Sequence, residues 1–240
     1  MKTASNLKTA HDLKLETANS GTARAALLGI SDGLVTNVSF ILGIAGAGAT
    51  QEFVRLAGFA SLIAGAFSMA VGEYISMKGQ VELLSSILTY ERAELTKHPN
   101  IVHEELTGIL VQDGVSAGTA HNAALEIAKD ADKAMTVYAR GKLGINPEEL
   151  GSVWGSAGSS FVMFSFGAFI PLVPWFFAQG LPAAIASLAL SAIAALGIGA
   201  YLGSKTDGRI LRSASRQLIV LVLAAGATYL VGVFFHVNVL

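Results

Sequence analysis

The chain contains no cysteine. Disulfides, thiolate metal sites, iron–sulfur clusters and cysteine nucleophiles are therefore excluded. Charge is scarce as well. Only 14% of the 240 residues are Asp, Glu, Lys or Arg, against about a quarter in a soluble domain. With 52% hydrophobic residues and a mean hydropathy of +0.57, the chain is neither disordered nor composed like a water-soluble enzyme. The 16 basic and 17 acidic residues nearly cancel, so no basic field points to nucleic acid.

The few charges are unevenly placed. None occurs from Leu150 to Ser204 or from Gln217 to Leu240. Asp32 is alone between Ala25 and Gln51, and Glu73 is alone between Leu56 and Met77. A helix crosses a bilayer with about 20 mostly apolar residues. Five spans are expected, at 25–49, 53–77, 154–178, 182–203 and 217–236, with Gln179-Gly180-Leu181-Pro182 dividing the third from the fourth. The first is too long for a signal peptide, and a second span follows almost at once. A cytosolic N-terminus places 15 basic residues inside and Arg55 alone outside, which is the positive-inside pattern. The fold class expected is an all-α polytopic membrane protein. It has a cytosolic N-terminal segment (1–23), spans one and two (24–78), a cytosolic helical bundle (79–153) and spans three to five (154–240).

Within the inserted piece, Val81–Leu95 continues the second span in helical phase and ends at His98-Pro99-Asn100. Three further helices are expected: Ile101–Val111, Ser116–Ala128 with Ser116 as N-cap, and Asp130–Leu143 stopping at Gly144. Asn146-Pro147-Glu148-Glu149 reads as another helix start. The piece has no phosphate-binding glycine loop. The glycines lie mostly in the spans, where Gly29, Gly33, Gly43 and Ala47 have the small-residue spacing that lets helices approach closely, and they are expected to let the first spans of two subunits face each other.

Asp32 is the sharpest chemical signal, an acid about two turns inside a span, where a bare carboxylate costs a few kcal/mol or more. Thr36, Asn37 and Ser39 follow it. Met69 and Glu73 are four apart and share a helix face. Counted from the outer turn near Thr50, Asp32 and Met69 lie at nearly equal depth, and Glu73 lies about one turn nearer the cytosol. Two carboxylates and a thioether suit a divalent transition metal, with the sulfur favouring iron, cobalt or manganese-like ions over magnesium or calcium. The inserted piece adds Glu91, Glu94, Glu104 and Glu105 and the histidines His98, His103 and His121. Most of its acids read as solvated helix faces, and its histidines lack the spacing of a catalytic zinc site. An intramembrane aspartyl protease needs two membrane aspartates, and the spans hold one, so no enzyme is expected.

Three stretches carry a family resemblance: Ser31-Asp32-Gly33-Leu34-Val35-Thr36-Asn37, Leu42-Gly43-Ile44-Ala45-Gly46-Ala47 and Ala66-Phe67-Ser68-Met69-Ala70-Val71-Gly72-Glu73-Tyr74-Ile75-Ser76. With Glu91-Arg92-Ala93-Glu94-Leu95, Gly151-Ser152 before Trp154, and Ile170-Pro171-Leu172-Val173-Pro174, the sequence resembles the vacuolar iron transporter family over about residues 22–236. The resemblance implies a homodimer of five-span subunits that exports ferrous iron, and often manganese, from the cytosol against protons. It implies no resident cofactor: the ions are cargo, Fe2+ first, with Mn2+, Co2+ and Zn2+ as further candidates. Asp32 and Met69 match residues of the family's path, and Glu73 belongs to the same region. Glu91, Glu94 and Glu105 match glutamates of a cytosolic metal-binding domain. Val102 stands where that domain has an acid, and Gly141-Lys142 replaces an acidic pair. His98, His103 and Glu104 are the nearby groups able to compensate. A membrane-anchored metal sensor or storage partner is the alternative reading. The compact architecture leads us to expect a bacterial inner membrane in preference to a vacuolar one.

Overall fold

A computed structural model describes residues 21–205 and 209–235. Lys2, Lys8 and Lys14 of the N-terminal segment, and residue 236 at the expected end of the fifth span, lie outside the described residues. Among those described, the regular elements are all helical. Five helical segments are long and apolar enough to cross a membrane. They are α1 (Gly21–Gly46), the 47-residue α2 (Gln51–Lys97), α6 (Val153–Phe169) with a 3-10 extension (Ile170–Phe176), α7 (Gly180–Lys205) and α8 (Ile210–Phe235). Residues 76–151 form one compact unit and the remaining described residues another.

In the spanning unit α1 is the central helix. Leu34, Val38, Ile41 and Leu42 join Leu172, Trp175, Ala183, Ala195 and Leu221 in one buried cluster. Its glycines bring backbone against backbone. A Cβ on Gly33 would lie 2.2 Å from the Phe164 carbonyl oxygen, and one on Gly29 would lie 2.8 Å from that of Ser160. Lower on the helix, a Cβ on Gly232 of α8 would sit 1.9 Å from the Gly43 oxygen. The small-residue positions therefore serve contacts with α6 and α8 inside one chain and not the expected approach of two first spans, because the backbones of those helices already fill the space beside them. α2 is mounted differently, through side chains: Phe59 meets Phe169 and Phe176, and Phe67 meets Phe161 at 5.1 Å.

The third span is one α-helix only as far as Phe169. Pro171 and Pro174 then impose a 3-10 turn, because neither can donate a backbone hydrogen bond. In 3-10 geometry the carbonyls left without a donor are those three residues before each proline, Ala168 and Pro171. These two are met by other helices: Asn37 Nδ2 donates to the Ala168 oxygen at 2.6 Å, and Ser187 Oγ to the Pro171 oxygen at 2.6 Å. Asn37 is fully buried, so part of the polar stretch after Asp32 repairs a neighbouring helix. This is the route by which membrane helices tolerate proline.

The fifth helix begins at Ile210, earlier than hydropathy placed the span, because Arg212 and Arg216 end an apolar run without ending a helix.

In the other unit α2 runs unbroken to Lys97 and α3 (Pro99–Gln112) starts at the expected proline. Helix α4 (Ala117–Ala128) has Ser116 at its N-cap position, but the Ser116 hydroxyl bonds to Thr119 Oγ1 at 2.9 Å and not to a backbone N–H. Asp130 does cap α5 (Ala131–Tyr138), accepting from the N–H groups of Asp132 and Lys133. Those bonds hold its carboxyl below the usual range, the Lys133 N–H contributing most. The chain then widens into a π-turn (Ala139–Leu143) and stops at Gly144, whose φ of 66° is left-handed. Residues 146–149 form a turn, not a helix start. The Asn146 side-chain oxygen accepts from the Arg140 guanidinium at 2.9 Å and from the Glu148 N–H at 3.3 Å, and the helix begins later, at Val153.

Candidate metal path and the carboxylates of the second unit

The exposed positions of α1 between Arg24 and Phe40 are Arg24, Leu28, Asp32, Thr36 and Phe40. They are spaced by four, so they form one narrow ridge on a helix otherwise wrapped by its neighbours. Asp32 sits mid-ridge, and its carboxylate accepts from Thr36 Oγ1 at 3.2 Å. Met69 is half-buried on α2 against the cluster of Ala66, Phe164 and Ala168. Glu73, one turn along the same face, pairs with Arg24 at 3.2 Å; its side chain is 11% exposed and that of Arg24 64%. The ion pair holds the start of α1 against α2 and partly neutralises Glu73. Within the chain, then, Asp32 and Glu73 each have a local partner. Among the described residues no three carboxylate or imidazole groups converge.

In the second unit each matched glutamate has a hydrogen-bonding partner. Glu91 accepts from Tyr138 Oη at 3.1 Å, Glu94 is bound by Lys97 at 2.7 Å, and Glu105 is bound by Lys142. The Lys142 ammonium also lies 5.5 Å from the centre of the Tyr138 ring. One lysine thus stands beside two candidate ligand positions, delivered there by the π-turn. The Glu105 carboxylate holds the Lys142 ammonium above its usual value, and burial, then Glu91, raises the Tyr138 phenol. A raised lysine keeps its proton at neutral and acid pH. The cationic half of the pair is therefore present at neutral pH and is lost only as alkaline pH removes that proton.

The departures from the family pattern also have packing reasons. Val102 is buried beside Leu106, Ile109 and Tyr138, where an unpaired carboxylate would be costly. A Cβ on Gly141 would lie 2.3 Å from Ile109 Cγ2, so the π-turn can rest on Ile109 only without a side chain at that position. The histidines that meet are His103 and His121, with ring centres 4.5 Å apart and edge to face. His98 stands at the break between α2 and α3.

Lys142→Glu should remove the internal cation, free Glu105 and add a carboxylate. More anionic oxygen better offsets dehydration of a bound dication. Titration calorimetry of Mn2+ into the full chain carrying Asp32→Ala should show affinity in this unit rising about tenfold or more, roughly 1.4 kcal/mol per tenfold. Unchanged binding in the folded variant would remove Lys142 from this role.

Comparison with known proteins places these features. The sequence profile of the VIT family matches residues 23–233. A protein named vacuolar iron transporter 1 in Tulipa gesneriana is 27% identical over 225 residues, covering 93% of this chain and 91% of its own length. One of the same name in Arabidopsis thaliana is 27% identical over 207 residues, covering 86% and 83%. A vacuolar iron transporter of Acanthamoeba castellanii is 35% identical over 164 residues, covering 68% and 58%. With a match that runs from the first span to the fifth, the chain belongs to the VIT family.

Proposed function

We propose that this protein is a homodimeric transporter that moves Fe2+ out of the cytosol across a membrane in exchange for protons, with Mn2+, Co2+ and Zn2+ as further substrates. The N-terminus and residues 76–151 lie on the cytosolic side, as the bias of basic residues requires, and the membrane is the bacterial inner membrane. Family membership and the names of the relatives support the metal cargo.

The observation that carries the reading is the exposure of Asp32 on the α1 ridge. An ionised carboxylate facing lipid is costly, and intramembrane acids face protein or a water-filled path. A second copy meeting the same ridge about a two-fold axis covers Asp32 and doubles it. The positions 28, 32, 36 and 40 form an i, i+4 ridge, and two such ridges interlock at a crossing angle of about −50°. Met69, at the same depth on the neighbouring helix, adds a sulfur that favours later first-row metals.

Cysteines placed singly at Leu28 and Thr36 in this cysteine-free chain should crosslink between subunits, and a cysteine at Val38, buried in the core of the same chain, should not. Iron entry into sealed vesicles separates transport from mere binding by a sensor or storage protein. Met69→Leu nearly conserves volume, so packing should lose less than about 1.5 kcal/mol. Fe2+ and Co2+ transport should fall further than Mn2+ transport in that variant. Equal loss for the three ions, or none, would remove Met69 as a ligand.

A further inference from the structure

Three arginines stand at the start of α8: Arg209 just before it, and Arg212 and Arg216 within its first two turns. At 3.6 residues per turn they fall within about 60° of one another around the helix axis. All three are exposed. Arg24, Arg55, Arg92 and Arg140 each meet a carboxylate, but none of these three meets one among the described residues. They line an open cavity of about 640 Å³ together with Ile219 and Val220. The same face continues to Leu223, which is 67% exposed. Ser213 and Ser215 complete the polar end.

The positive-inside bias accounts for the side of the membrane on which such residues fall. It does not account for three guanidiniums sharing one helix face above an apolar wall. Guanidinium groups match phosphate oxygens by paired N–H donors. A free phosphate would use the arginines and leave the wall of Ile219, Val220 and Leu223 without a role, whereas an acyl chain covers it. From Arg216 to Leu223 the helix rises about 10 Å, the direction in which a lipid tail runs from its headgroup into the bilayer.

We propose that this cavity is a binding site for an anionic phospholipid of the leaflet that faces the start of α8. Its phosphate is held by Arg209, Arg212 and Arg216, and its acyl chains lie along Ile219, Val220 and Leu223. Selectivity follows from charge. Phosphatidylglycerol brings a net negative charge, whereas the ammonium of phosphatidylcholine cancels its own phosphate. The site does not rest on which ion the protein moves or in which direction.

The full-length protein in detergent is titrated with dioleoylphosphatidylglycerol and, separately, dioleoylphosphatidylcholine, and bound lipid is read by native mass spectrometry. The wild type should retain the glycerol lipid about tenfold more strongly, and the triple variant Arg209→Gln/Arg212→Gln/Arg216→Gln should lose that preference. Thermal unfolding checks that the variant is folded. If it is not, Arg212→Gln alone should weaken retention about threefold. Equal retention of the two lipids by the wild type, or a preference that survives arginine removal, overturns the proposal. Inorganic phosphate provides the remaining arm. Displacement of the lipid by phosphate at millimolar levels would make this a free-phosphate site and overturn the lipid assignment, whereas retention of the lipid supports it.

Discussion

Asp32→Ala should abolish iron flux and leave the subunit folded. The side chain is exposed on the single chain and makes one local hydrogen bond, to Thr36 Oγ1 at 3.2 Å, so its removal opens no cavity and breaks no packing within the chain. Metal transfer should lose much more. Removing one partner of a desolvated charge pair costs about 3–5 kcal/mol, a hundredfold or more in affinity for a dication. Two-fold symmetry would remove two such groups with one substitution. Asp32→Asn should fail nearly as badly, since it keeps the shape and loses the charge, and Asp32→Glu should retain partial flux. Thr36→Val should have a smaller effect, because it alters only the orientation of the carboxylate. The readout is initial Fe2+ uptake per folded protein, with folding checked by thermal unfolding in detergent. Wild-type flux in folded Asp32→Ala would remove this residue from the path.

The second large effect concerns stability, not transport. Gly33→Ala should destabilise the spanning unit severely. Its Cβ would lie 2.2 Å from the Phe164 carbonyl oxygen, and on the facing helix a Cβ on Gly167 would lie 2.2 Å from the Ile30 oxygen. The obstacle in both cases is backbone, which no rotamer change can move, so α1 and α6 must separate. Overpacking of this kind costs about 1–3 kcal/mol even where side chains can yield. We expect a large fall in the unfolding temperature and loss of the soluble detergent complex. Gly226→Ala on α8 is the control. It meets nothing within 4 Å and replaces a weak helix former by a strong one. If Gly33→Ala unfolded no earlier than Gly226→Ala, α1 and α6 would not be in backbone contact in the folded protein.

Which features can be read from sequence depends on whether they are one-dimensional. The five apolar helices follow from hydropathy summed along the chain, and Asp32 stands out by the cost of a charge within such a run. The inserted helices follow from punctuation at Pro99, Gly114, Asp130 and Gly144. Facing is different. The spacing of Gly29, Gly33, Gly43 and Ala47 signals a close approach but carries no information about the partner, which in the structure is α6 or α8 of the same chain. The free ridge through Asp32 emerges only once three neighbours have covered the rest of α1. The Asn146-Pro147 turn illustrates a local motif overridden by a partner from outside it, Arg140. The pairing of Lys142 with Glu105, 37 residues apart, depends on a π-turn that no periodicity announces. The roles of Asn37 and Ser187 could have been suspected from Pro171 and Pro174, whose missing N–H groups require donors from elsewhere.

On the proposed function, metal crosses the membrane through this protein along a path that includes Asp32, in exchange for protons. The most direct measurement follows Fe2+ and pH together inside sealed liposomes carrying the purified protein, with reductant present and an inward-acid gradient imposed. The account predicts luminal iron rising well beyond the binding capacity of the protein while the lumen loses protons, and neither change in liposomes carrying Asp32→Ala. Iron bound only in proportion to the protein, with no luminal accumulation and no proton movement, would contradict it.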